Sequence, residues 1–200
     1  MKTSAALAAF LIVAAPAAKP AFAEEAPPPG RVLDAAMGDW DQDGEADLAL
    51  MTAPAEPDGE VGLDIYLQDT SQPFLKLAVR TKGQIWGNVE SYFSGQAPFI
   101  QTLPNGSLAL ISHNDSMGRN RWERRLTLAY RDRQFLVAGY TYRYYDTINL
   151  EDTGECDYNL LAGKVSINRK PPQDAPKLVR KIEDWTDETK NAVAKTCGLE

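Results

Sequence analysis

Residues 38–50 read G-D-W-D-Q-D-G-E-A-D-L-A-L, with Asp39, Asp41 and Asp43 at alternate positions. A tight loop turns alternate side chains to the same side, so these three carboxylates converge on one point. Gly44 follows at position six, where a sharp turn suits a residue free to take positive φ. Glu45 at position seven is placed to offer its backbone carbonyl. Asp47 at position nine closes the shell directly or through water. Oxygen-only ligation from a flexible loop is what Ca2+ takes. Carboxylates packed this closely also repel one another unless a cation lies between them. The expected metal ligands are therefore Asp39, Asp41, Asp43, Glu45 and Asp47, and the expected ion is Ca2+. The loop is not an EF-hand: position twelve, a bidentate Glu in that motif, is Leu50, and an apolar strand follows instead of an amphipathic helix.

The same residues resemble the calcium loop of FG-GAP/VCBS-type repeats, which runs Asp-x-Asp/Asn-x-Asp-Gly-x-x-Asp and then enters a strand. One copy is found, and LEDTGECD at 150–157 is acidic without the spacing. The propeller and the adhesive role of multi-copy relatives are therefore not carried over. A wider resemblance joins the calcium loop to the hairpin ending in GYTYRYYD (139–146) and to CDYNLLAGK (156–164). Over roughly residues 31–170 this pattern is similar to a family of exported bacterial proteins that includes immunity proteins. Members of that family resemble periplasmic lysozyme inhibitors and bind calcium. The resemblance implies a binding protein rather than an enzyme, with a peptidoglycan hydrolase as its partner. The tyrosine-rich hairpin end and the 112–121 loop are the candidate contact regions.

Other chemistry is weaker. His113, the one histidine, sits in ISHNDS beside Ser112, Asp115 and Ser116. Neighbours along a strand point to alternate faces, so these do not make a nucleophilic triad and read as a polar strand end. Arg119, Arg121, Arg124 and Arg125 alternate with an apolar strand face and read as a solvated face rather than a phosphate patch. Tyr140, Tyr142 and Tyr144 share one strand face and read first as sheet packing, while Tyr145 turns to the other. No carboxylate pair outside the calcium loop stands out for glycoside hydrolysis.

The elements that must hold these groups are strands. ADLALMTA (46–53), GLDIYLQD (62–69) and FLKLAVR (74–80) carry period-two apolar patterns. Pro104-Asn105-Gly106 joins two more strands, at 98–103 and 107–113, in a hairpin. RWERRLTLAYR (121–131) meets FLVAGYTYRYY (135–145) across Asp132-Arg133-Gln134. Residues 146–157 read as an acidic loop and 159–168 as one further strand. The best helix lies at 187–196, started by Asp184 or Thr186 and ended by Gly198. The expected fold is mainly β, one antiparallel sheet, sandwich or barrel-like domain over 31–200 with a short C-terminal helix.

Two hundred residues with 21 basic and 28 acidic side chains give a net charge of −7. So acidic a chain is ill suited to nucleic acid. The N-terminus has Lys2, an apolar run from Ala5 to Ala15, and Ala21-Phe22-Ala23 as a small-x-small site. Residues 1–23 therefore read as a cleaved signal peptide, whose apolar run is too short to span a bilayer, and 24–30 as a Pro-rich leader. Cleavage removes Lys2 and Lys19, leaving 19 basic residues against 28 acidic ones, a net charge of −9. The expected location is periplasmic or secreted. There Cys156 and Cys197, the two cysteines, are expected to form one disulfide, contributing about 4 kcal/mol through chain entropy.

Overall fold

A computed structural model describes residues 32–54, 58–89 and 95–199. The expected signal segment, 1–23, and leader, 24–30, lie outside the described residues. Among the described residues the chain forms eleven strands, a 3-10 turn at Ile182–Asp184 and one α-helix. The first four strands are β1 (Val32–Gly38), β2 (Asp47–Thr52), β3 (Asp58–Asp69) and β4 (Gln72–Asn88). They pair in sequence order as an antiparallel meander. A second meander follows: β5 (Phe99–Thr102), β6 (Leu108–Asn114), β7 (Asn120–Arg131), β8 (Gln134–Asp146), β9 (Thr153–Asn159), β10 (Lys164–Ile167) and β11 (Gln173–Asp174).

Alternation builds both layers. In β2, Asp47, Ala49 and Met51 are buried while Leu48, Leu50 and Thr52 are half-buried. In β7, Leu126 and Leu128 are buried beside half-buried Arg125 and Thr127. Met51, Leu63, Ile65 and Ile85 of the first sheet meet Leu110, Leu126, Leu128 and Val137 of the second in one core. Apolar burial from both sheets is the main stabilising force here. The edges at β1 and β5 are stitched by side chains: Ile100 N donates to Asp34 Oδ2 at 2.9 Å, and Thr102 Oγ1 to the Met37 carbonyl at 2.7 Å.

The helix α1 (Asp187–Cys197) buries Thr189, Val193 and Cys197, one stripe at four-residue spacing. Gly198 ends it in the left-handed conformation, at φ 67°. Thr186 is its N-cap residue. Cys197 is disulfide-bonded to Cys156 on β9, which ties the helix to the second sheet. Lys190 reaches the other way, to Glu60 on β3 and to the Gly83 carbonyl at 3.1 Å on β4.

Several elements differ from the sequence reading. The stretch 146–157 is not all loop, because Thr153–Asn159 is β9, paired with β8 and β10. Its buried positions are Cys156 and Tyr158, set among polar and acidic neighbours that hide the alternation. The single strand expected at 159–168 is broken by a turn, with Gly163 at φ 67°. Leu160 is buried there as part of the core. The β7–β8 turn is tighter than expected: Arg131 pairs with Gln134, and Asp132 and Arg133 take φ of 51° and 61°.

Candidate functional site

The loop 39–46 hangs between β1 and β2. Gly38 ends β1 directly under the Trp40 indole, where a Cβ would come within 2.6 Å of the ring. Trp40 is buried and meets Phe135 edge-on at 6.2 Å. That contact fixes the loop at the β7–β8 turn end of the molecule.

The expected ligands distribute as follows. Carboxylate oxygens of Asp39, Asp41 and Asp43 all lie within 4.8 Å of one another. Asp39 accepts from the amides of Asp43 (3.0 Å) and Gly44 (3.1 Å), and Asp43 from the amide of Glu45 (2.9 Å). Gly44 takes φ 93° with open space around its Cα, so its conformation rather than crowding calls for glycine. The Glu45 residue is exposed. Asp47 is fully buried beneath the loop: Oδ2 accepts from Trp40 N at 2.8 Å and Oδ1 from Gln68 N on β3 at 3.0 Å. The structure thus brings three carboxylates together and sets the fourth aspartate as the clasp that ties the loop to the sheet.

Electrostatics follow the same division. Burial, and then the charges of Asp43 and Asp39, hold the Asp41 carboxyl above its usual range. Burial also raises Asp47, opposed by its two amide donors. Each pair of unit charges at this spacing repels by about 1 kcal/mol in bulk water and several-fold more near a protein surface. A divalent cation on hard oxygen ligands would relieve that repulsion, and the donor set suits Ca2+.

At the far end of the same hairpin the tyrosines and arginines separate by alternation. Tyr140, Tyr142 and Tyr144 stand opposite Leu126, Arg124 and Trp122. The Arg124 guanidinium lies 5.7 Å from the ring centres of both Trp122 and Tyr142, and Trp86 of the first sheet packs on Trp122 at 5.4 Å. These tyrosines are sheet packing. Tyr145, on the opposite face, is 49% exposed. The four arginines are not one patch. Arg119 pairs with Asp146, Arg121 donates to the carbonyls of Met117 (2.9 Å) and Gly118 (2.6 Å), and Arg125 faces Glu123 at 3.4 Å. His113 bonds Asp115 at 2.7 Å and the Ala97 carbonyl at 2.9 Å. Ser112, the neighbouring candidate nucleophile, is fully buried.

Asp146 was not singled out by spacing, yet it organises this end. Its carboxylate is buried, pairs with Arg119, and accepts from Ile148 N (2.7 Å) and Asn149 N (2.8 Å). The Arg119 guanidinium first, and then the Asn149 amide, pull its pKa down to about 2. Thr147 N also donates to the Arg119 carbonyl at 2.9 Å, linking this loop to the one before β7. The braced backbone leaves Ile148 and Leu150 77% and 73% exposed, with Met117 43% exposed on the neighbouring loop. The sequence signal was an Asp before Thr-Ile-Asn, an ordinary Asx-type turn with no apolar reason to form.

The described residues thus form a two-sheet antiparallel β protein with one disulfide and one short α-helix, bearing an acidic loop at one end and, at the other, a loop that exposes Ile148 and Leu150. Comparison with protein-family models, with curated proteins and with solved structures finds no match.

Proposed function

We propose that this is an exported calcium-binding interaction domain that inhibits a cell-wall hydrolase, as an immunity protein would. The observation that carries the reading is the loop after Asp146: its backbone is held by internal hydrogen bonds while Ile148 and Leu150 face water. Pre-ordered apolar side chains at a tip are suited to filling a partner's cleft, because little entropy is lost on docking. The acidic body attracts a cationic partner and speeds encounter. Among the described residues no helix is long and apolar enough to cross a membrane. The disulfide supports an oxidising compartment, periplasmic or secreted. Ca2+ held by Asp39, Asp41 and Asp43, with Glu45 and Asp47 completing the loop, acts structurally in this reading.

The test is a panel of peptidoglycan hydrolases assayed with the protein and Ca2+ present. Inhibition of at least one, with a Kd on the order of 1 μM or tighter, is expected, and Ile148→Asp should abolish it. Unchanged rates across the panel would remove the inhibitor reading. The second reading is a calcium-dependent surface module that binds glycan or a partner protein. It is favoured by an open cleft beside the tip.

A further inference from the structure

Behind the apolar tip, a row of polar side chains crosses the second sheet. His113 on β6, Glu123 on β7, Arg143 on β8 and Glu155 on β9 stand opposite one another in register. Arg143 donates to Glu155 Oε1 and Arg169, just past β10, to its Oε2, each at 3.1 Å. Asn168 locks that edge: its Oδ1 accepts from Glu155 N at 2.9 Å, and its N donates to the Glu155 carbonyl at 2.7 Å. Glu123, Arg143, Glu155 and Arg169, together with Asp115 and Tyr145, line an open cleft of about 640 Å3. That volume lies within the range of small-ligand sites.

The chemistry of the cleft narrows the ligand. Its charges alternate in sign along the row, three carboxylates and two guanidiniums in all, and the acids are engaged: Glu155 with Arg143 and Arg169, Glu123 with Arg125, and Asp115 with His113. An anion would face Glu123, Glu155 and Asp115, and a cation would face Arg143 and Arg169. Paired ions still keep hydrogen-bonding capacity, since a carboxylate has about four acceptor sites and a guanidinium five donors. Glu155 spends only part of its capacity on the two arginines. The complementary ligand is uncharged and carries donors and acceptors on the same groups, as adjacent hydroxyls do. Tyr145, half exposed at the rim, offers a ring face to the apolar side of such a ligand.

We propose that this cleft binds a short neutral oligosaccharide. The inference rests on the second reading, glycan binding, and deepens it by naming the site and ligand class; it is independent of the inhibitor reading, because a sugar in the cleft needs neither the apolar tip nor the calcium loop.

The experiment is a titration of the 15N-labelled protein with chitotriose, cellotriose and maltotriose, followed by amide shifts. At least one sugar should move the amides of residues 143–145 and 153–155 saturably, with a Kd on the order of 1 mM. Tyr145→Ala and Glu123→Gln should each weaken binding by about tenfold, a loss of about 1.4 kcal/mol, with the melting temperature unchanged. Ile148→Asp should leave sugar binding intact while removing hydrolase inhibition, so the two readings fail separately. The absence of saturable shifts with all three sugars would overturn the proposal. So would shifts confined to residues outside the cleft, or tighter binding of triglycine or acetate to the same amides.

Discussion

The two ends of the β7–β8 hairpin use aspartate in opposite ways. At the turn end, Asp47 is buried on the amides of Trp40 and Gln68, with the charges of Asp41 and Asp39 near it. Burial dominates, and its carboxyl is held above the usual range. Three more carboxylates converge above it. At the other end, Asp146 is equally enclosed and also grips two amides, but Arg119 lies against it and its pKa falls to about 2. One loop gathers three carboxylates whose oxygens lie within 4.8 Å of one another. The other pairs its buried Asp146 with Arg119 and turns Ile148 and Leu150 to water. Strand β7, twelve residues long, runs between these ends and spans about 36 Å at about 3.3 Å per residue. The lesson is that a buried aspartate fastens a loop in either case, and what surrounds it, burial with further carboxylates or an arginine, decides the direction in which its pKa moves.

The comparison can be broken most severely at the clasp. Asp47→Ala strands the Trp40 and Gln68 amides in a dry site and should destabilise the protein by about 3 kcal/mol, read by chemical denaturation. A loss below about 0.5 kcal/mol would mean that the loop holds without it. Asp146→Asn should have a smaller effect, confined to its own end. It should sharpen exchange of the Ile148 and Asn149 amides and leave the calcium loop unmoved.

The pH dependence follows from the sign of the Asp146 shift. Its folded pKa, about 2, lies below the value of about 3.9 for an unfolded aspartate. Its contribution is therefore complete above about pH 4 and is lost as pH falls through the folded pKa. The Ile148 and Asn149 amide shifts should titrate with a midpoint near 2. A midpoint near the unfolded value would show that Arg119 does not hold the carboxylate. The smallest stability effect belongs to Ile148→Asp with Leu150→Asp. Both positions are exposed, so stability should change by less than about 0.5 kcal/mol while partner binding is lost. A large stability loss would show that the tip packs on the fold rather than facing outward.

Much of this was legible in the sequence, for physical reasons that differ by element. The convergence of Asp39, Asp41 and Asp43 declares itself because carboxylates at alternate positions of a tight loop turn to one side. The β7–β8 hairpin shows through Leu126, Leu128 and their polar neighbours. The cystine followed from an even cysteine count in a chain whose first residues read as an export signal. Strand β9 was hidden because Cys156 and Tyr158 carry its alternation inside an acidic stretch. The polar row from His113 to Glu155 was invisible because register, which no single strand encodes, brings its members together. Asp146 was missed for the same reason: Arg119 is a neighbour only across the sheet.

The central claim is that residues 39–47 form a structural calcium site remote from the contact end. Thermal unfolding in chelator and then in about 1 mM Ca2+ tests it most directly. For a site with a Kd of about 10 μM, linkage supplies about 2.7 kcal/mol, a rise of roughly 5–10 °C in a chain of this size. The account predicts that rise for the wild type and its absence in Asp43→Ala. An unchanged melting temperature, or a rise that persists in Asp43→Ala, would contradict it.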